Sequence, residues 1–367
     1  MKTAESEGAI TAAEVQLLGT VLSVEANYYK VQLDIPLPHT HHLLCTSRAR
    51  LKKIGQQVMV GDRVLVEKPD WAGKRAAIAE ILPRQTKLER PPIANVEQIL
   101  LLFASAEPEP EPYQISRFLL KAESVGLTIC LCFNKSDLVP ESERLYWRAR
   151  LNSWGYQPIF ISLLTSMGLD ELSAQLQGKI TVVAGPSGVG KSSLINRIIP
   201  GVNQRVGPVS SKLNRGRHTT RHVELFSLPT GGLLADTPGF NQPDLDCAPE
   251  KLALLFPEVR QRLAKNSCQF SDCLHRNEPN CVVRGNWERY EHYLEFLAQA
   301  LAHSQALHQQ RAPESSLKVK TKRAGQPHYE PKLNTKKYRR SSRRLEHQNL
   351  QLQEFSQDLE EKETSSH

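Results

Sequence analysis

Between residues 15 and 88, apolar and polar positions alternate over short runs at 19–24, 28–33, 42–45, 57–60, 63–68 and 75–81. Turn residues such as Gly61-Asp62 and Pro69-Asp70 separate them. Alternation of period two predicts half-buried strands, and short strands at even spacing predict a small barrel. Pro83 and Pro91-Pro92 mark a linker, and the pattern changes after Val96. Residues 98–103 and 127–133 are nearly continuous apolar runs, as strands buried on both faces should be. Residues 113–124 and 142–154 read as helices, and 158–162, 180–184, 223–227 and 232–235 as further strands. Strands alternating with helices predict an α/β domain. Beyond Asn241 come a Cys/His-rich stretch and then a helix over about 287–305. The expected organisation is a leader (1–13), a barrel (14–88), an α/β domain (93–241), a metal-binding helical segment (242–311) and a polar tail (312–367). Leader and tail are expected to be largely disordered.

The chain has 367 residues, 40% hydrophobic and 23% charged, ordinary for a globular protein. No apolar run is long enough to span a bilayer. The first residues lack the basic-then-apolar order of a secretory signal, so the cytoplasm and no membrane partner are expected. Net charge is +8, unevenly placed. Between Lys318 and Arg344, eleven basic residues face a single acid, Glu330. After Leu345, six acids face only Lys362. The tail therefore carries the excess, and its cations near Tyr329 and Tyr338 suit phosphate-rich RNA.

Gly185-Pro186-Ser187-Gly188-Val189-Gly190-Lys191-Ser192 fits the phosphate-loop pattern, after an apolar strand and before a helix that includes Ser193. Its glycines let backbone N–H groups converge on phosphate oxygens, and the helix N-terminus adds partial positive charge. Lys191 is expected on the β/γ-phosphates and the Ser192 hydroxyl on Mg²⁺. Asp236-Thr237-Pro238-Gly239 follows another apolar strand. Its carboxylate could hold Mg²⁺ through water, and the Gly239 N–H could sense the γ-phosphate.

Asn134-Lys135-Ser136-Asp137 directly follows the strand at 127–133. Asp137 could accept two hydrogen bonds from the guanine N1–H and 2-amino group, and Lys135 could lie along the base. Adenine offers no such donor pair and would leave a buried carboxylate unpaired. Ser162-Leu163 ends a further strand and is expected to add backbone contacts to the base. GTP and GDP are the expected ligands.

Cys268, Cys273, His275 and Cys281 supply three thiolates and one imidazole. That closed set suits one structural Zn²⁺.

The base motif precedes the phosphate loop, the reverse of ordinary GTPases. With the barrel ahead and the Cys/His cluster behind, the chain resembles the RsgA (YjeQ) family of circularly permuted GTPases over about residues 19–305. Gly216-Arg217-His218-Thr219-Thr220, Asp236-Thr237-Pro238-Gly239-Phe240 and the metal spacing carry that resemblance. It implies that the barrel is an OB-fold. It also implies that GTP hydrolysis is stimulated by the small ribosomal subunit and serves that subunit's late maturation, with rRNA as a partner. A monomer is expected. Thr219 or Thr220, with Thr220 favoured, is expected to close over Mg²⁺. Phe240 stands where many GTPases place a water-orienting Gln, which leaves His218 as the nearest candidate for that task. The alternative is an RNA-binding module that uses GTP only as a structural or regulatory ligand.

Overall fold

The computed structural model describes residues 17–37, 40–89, 91–199, 201–202, 223–236, 247–311, 317–321 and 327–331. The first element group is β1 (Leu17–Glu25), β2 (Tyr28–Leu37), β3 (Thr40–Ser47), the short helix α1 (Ala49–Lys53), β4 (Arg63–Asp70) and β5 (Arg75–Ile81). The five strands close into a barrel in the order β1-β2-β3-β5-β4, with β3 and β5 parallel and β4 returning to β1. Alternate residues fill it: Val21, Val31, Leu43, Cys45, Val64, Val66 and Ile78 have almost no exposure. Each such side chain contributes about 1.5–3 kcal/mol on burial. The run at 57–60, expected to be a strand, forms only an isolated bridge from Val60 to Ile93. Val58 and Val60 are buried there, but the Val60 carbonyl accepts from Ala94 N–H in the linker. That linker is itself ordered as the hairpin β6 (Lys87–Glu89) and β7 (Pro92–Ala94).

The α/β domain follows: β8 (Gln98–Ala104), α2 (Pro112–Val125), β9 (Thr128–Asn134), α3 (Glu141–Ser153), β10 (Pro158–Phe160), α4 (Leu169–Leu176), β11 (Ile180–Ala184), α5 (Lys191–Ile198), β12 (Leu225–Ser227) and β13 (Leu233–Asp236). They form one six-stranded sheet in the order β10-β9-β8-β11-β13-β12, parallel except for β12. β8 is buried at all seven positions, which its unbroken Ile99-Leu100-Leu101-Leu102-Phe103 run foretells. Its side chains alternate between two cores. Ile99, Leu101 and Phe103 join Phe118 and Leu119 of α2 and Trp147 and Leu151 of α3. Leu100, Leu102 and Ala104 join Leu172 and Leu176 of α4 and Leu194 and Ile195 of α5. The sheet is thus covered on both faces, as a doubly wound fold requires.

The last group holds α6 (Pro249–Leu252), α7 (Pro257–Lys265) and α8 (Tyr290–Arg311) around Phe256, Val259, Val283, Tyr293 and Phe296. Leu120 of α2 enters the same cluster, so this group packs on the α2–α3 side of the sheet. Arg289 is fully buried at the contact. Its guanidinium meets Glu258 through Nε (2.8 Å) and Nη2 (2.5 Å), and lies 4.8 Å from the rings of both Trp154 and Phe256. Trp154 Nε1 donates to Glu288 (2.7 Å) across the same seam. Where the barrel leads into the linker, Asp62 is fully buried and accepts from Arg84 Nε at 2.6 Å and Nη2 at 2.9 Å, and Leu22 of β1 joins the core on the α2–α3 face of the sheet. In the tail, β14 (Leu317–Thr321) and β15 (Pro327–Pro331) pair antiparallel. Among the described residues no helix is long and apolar enough to cross a membrane.

Removing one partner of a buried ion pair strands the other, at about 3–5 kcal/mol. Arg289→Met is therefore expected to move the urea unfolding transition to lower concentration by about that free energy. Arg289→Met with Glu258→Leu is expected to recover part of the loss. Equal stability of the first variant and the natural protein would show that the seam does not depend on this guanidinium.

Candidate nucleotide site and metal centre

Because β8, β9, β10, β11 and β13 run parallel, the loops that leave their C-terminal ends all emerge at one edge of the sheet. Those ends carry the base motif after β9, Ser162 and Leu163 after β10, the phosphate loop after β11, and Asp236 on β13 itself. Ligands of open α/β sheets bind at this edge. Counting strands cyclically from β11, the sheet reads 6-5-4-1-3-2, with the chain cut between β13 and β8.

The two motifs touch. Asn134 is buried, and its Nδ2 donates to the Val189 carbonyl at 2.9 Å. Gly190 has φ +97°, and a Cβ there would stand 2.5 Å from the same Nδ2. Gly185 has φ +148°, and a Cβ there would come within 2.0 Å of the Leu102 carbonyl of β8. Both positions therefore admit only glycine. Asn134, Lys135, Asp137, Leu138, Leu163, Leu164, Gly190 and Ser193 line one open cavity of about 300 Å³. Asn134 Oδ1 is buried there without a hydrogen-bond partner, and a buried orphan acceptor of this kind calls for a ligand or water.

Neighbouring bonds hold the base motif rigid. Ser136 N–H donates to the Ile161 carbonyl (3.0 Å), and Ser136 Oγ bonds Ser105 Oγ (3.1 Å) and the Phe133 carbonyl (2.9 Å). Arg144 Nη1 donates to the Ser136 carbonyl at 2.9 Å. Lys135 has φ +58° and its ammonium donates to the Glu107 carbonyl. Ser162 is fully buried; its Oγ accepts from Thr165 N–H (3.1 Å), so its side chain serves the loop, while Leu163 lines the cavity. Lys191 Nζ donates to the Gly185 (2.8 Å) and Pro186 (2.6 Å) carbonyls, folded over its own loop. Ser192 follows it in the first turn of α5. His218, Thr220, Gly239 and the side chain of Asp236 lie outside the described residues. Motif spacing did not point to Ser105, Leu138 or Leu164. Two of these lie one residue from motif positions, and only the cavity identifies them.

The Cys/His set converges as well. His275 Nδ1 lies 3.3 Å from Cys273 Sγ, 3.3 Å from Cys281 Sγ and 3.6 Å from Cys268 Sγ, and the Cys268 and Cys281 sulfurs are 3.8 Å apart. All four ligand atoms fall within 4.8 Å of one another. Tetrahedral thiolate ligation at about 2.3 Å gives sulfur–sulfur separations of about 3.8 Å, so the donors fit such an ion. Desolvation and the neighbouring thiols push the Cys273 thiol up to about 12, and desolvation pushes His275 down. The imidazole is thus neutral and ready to ligate, whereas the thiols must lose protons to a metal. Tyr290 and Tyr293 on α8 hold the ligand loop through the His275 (2.8 Å) and Leu274 (2.6 Å) carbonyls.

Strand order and loop placement define the class: a circularly permuted GTPase domain between a closed barrel and a Cys₃His-bearing helical segment. Comparison with known proteins agrees. A family model described as RsgA GTPase matches residues 81–246. The small ribosomal subunit biogenesis GTPase RsgA of Trichormus variabilis is 64% identical over 356 residues, covering 92% of this chain and 96% of that one. Among solved structures, YloQ, a circularly permuted GTPase, aligns with TM-score 0.66 at 29% identity over 82% of this chain and 99% of its own. YjeQ from Thermotoga maritima aligns with TM-score 0.65 at 32% identity over 78% and 99%. The chain belongs to the RsgA GTPase family.

Gly190→Ala is expected to weaken guanine-nucleotide binding at least about tenfold with unchanged far-UV circular dichroism, since its Cβ must displace Asn134. Titration with a fluorescent GDP analogue checks this. Chelation of a bound metal is expected to make residues 268–281 protease-sensitive while nucleotide affinity stays within about twofold, because the two sites share no ligand.

Proposed function

We propose that this GTPase binds the small ribosomal subunit, acts in its late maturation in the cytoplasm, and is released when subunit-stimulated hydrolysis converts GTP to GDP. The observation that carries the reading is the contact of Asn134 with Val189 and Gly190, which joins base motif and phosphate loop at one cavity. The relative from Trichormus variabilis carries the subunit in its name.

In this reading Asp137 accepts the guanine N1–H and 2-amino hydrogens, Lys135 lies along the base, and Ser162-Leu163 closes its edge. Backbone N–H groups of Gly185 and of 187–193, with Pro186 shaping the loop between them, surround the phosphates. Lys191 exchanges two neutral carbonyls for phosphate oxygens, a trade that charge-assisted bonding favours. Ser192, Thr220 and Asp236 hold Mg²⁺, directly or through water, which when bound offsets the β/γ-phosphate charge. The Gly239 N–H reads the γ-phosphate and His218 orients the attacking water. Cys268, Cys273, His275 and Cys281 hold Zn²⁺ in a closed structural set. The barrel, read as an OB-fold, and the basic tail contact rRNA.

Turnover is expected to rise severalfold or more with purified small subunits and to stay at its intrinsic rate with large subunits or none. Equal rates in all three would favour GTP as a structural ligand of an RNA-binding module. Asp137→Asn replaces an acceptor by an amide, which suits the 2-oxo group of xanthine. GTP affinity is expected to fall about a hundredfold or more while XTP affinity rises. A parallel loss of both would mean that Asp137 does not read the base.

A further inference from the structure

One row of residues runs from the GTPase domain onto the outside of the barrel. Glu224, just ahead of β12, bridges antiparallel to Ser23 of β1. Ser23 is in register with Lys30 of β2, Lys30 with Leu44 of β3, and Leu44 with Arg75 of β5. Residues in register share a face of a sheet. Their chain neighbours Tyr29, Leu43 and Cys45 fill the barrel, so this row lies outside. The next row holds Tyr28, Thr46 and Ala77, and Tyr28 is 49% exposed. Leu44 N–H donates to the Lys74 carbonyl (2.9 Å), which sets the β4–β5 turn and its exposed Trp71 beside the row. This outer face thus carries the cations Lys30 and Arg75 in one row, with exposed rings at Tyr28 in the next row and at Trp71 in the adjoining turn. Interleaved cations and rings suit a single nucleic-acid strand, with phosphates on the cations and bases on the rings.

One cation of this row already has a partner. Lys30 Nζ lies 3.5 Å from Glu224 Oε1, and the two side chains are 45% and 42% exposed. Ion pairs so exposed are weak, and a phosphate can take the place of the carboxylate. Glu224 immediately precedes β12, which Ser227 Oγ also fastens to the barrel by donating to Gln32 Oε1 at 2.8 Å. The sheet of the GTPase domain is thus pinned to the barrel through residues of the same face.

We infer that Lys30 is exchanged between Glu224 and an RNA phosphate, so that RNA on the barrel and the attachment of β12 compete for one ammonium group. The inference rests on the barrel being the RNA-binding module of the proposed function. Linkage then requires that loosening β12 strengthens RNA binding by the factor with which RNA loosens β12.

The test uses the full-length protein with a single-stranded RNA oligonucleotide and, separately, purified small subunits, with affinities measured across a salt series. Glu224→Gln, nearly isosteric, is expected to bind both about threefold more tightly by freeing the lysine. Lys30→Ala is expected to bind more weakly and to lower the slope of log affinity against log salt by about one. In the Lys30→Ala background, Glu224→Gln is expected to add nothing. GDP-analogue affinity reports folding in every variant and should not change. The exchange is overturned if Glu224→Gln binds like the natural protein, or if its gain survives loss of Lys30. If the natural protein binds neither RNA nor small subunits, its own arm shows that the proposed function has failed, and the exchange falls with it.

Discussion

The bond from the Asn134 amide to the Val189 carbonyl is the constraint on which the nucleotide site depends. It joins two motifs 55 residues apart and leaves the amide oxygen buried without a partner. Gly190 makes the approach possible by carrying nothing where the amide stands. The bond itself depends on parallel β8, which lies between β9 and β11 and is buried at every position, so the two loops leave the sheet at the same edge. The chain direction between motifs is irrelevant to this geometry. A doubly wound sheet needs its strands in the right spatial order, and the cyclic permutation preserves that order while moving the break.

Legibility in the sequence followed how local each cause was. The phosphate loop could be read because glycine at positions 185 and 190 answers a backbone demand that few other residues meet. Strand β8 could be read because an apolar run without alternation has few other uses. The metal centre could be read from four donors at short spacing. The run at 57–60 misled because Val58 and Val60 are buried in alternation, as in a strand, and Val58 enters the barrel core, yet the only bridge the stretch makes among the described residues is from Val60 to Ile93 of the linker. Pro91-Pro92 signalled a loop, and the pair β6–β7 is so short that Pro92 can open a strand without losing a ladder bond that mattered. Helix α1, five residues long, leaves no periodic trace.

Arg289 illustrates what sequence hides altogether. A lone arginine ahead of a helix reads as solvated, whereas here it is fully buried among Trp154, Tyr156 and Phe256 with Glu258 as its counter-charge. Two distant stretches, 154–156 and 256–258, must meet Arg289 before that burial becomes favourable, and no short window of sequence contains all three. The seam it forms fixes the metal-bearing segment against α2 and α3, the helices that follow β8 and β9. The barrel is fixed separately, by the Ser227–Gln32 bond and by Leu22, which enters the core beneath the sheet. The GTPase domain therefore holds each neighbouring module through its own set of contacts.

The position of the break has a mechanical meaning. The barrel leads into the N-terminal end of β8, and the metal-bearing segment departs beyond the C-terminal end of β13, with β11 between them in the sheet. These three strands run parallel. Tension drawn between the two flanking modules therefore arrives at opposite ends of neighbouring strands and loads them in shear, sharing the strain across a whole ladder at once. The strand that bears the phosphate loop lies between the two chain connections that would carry such a load.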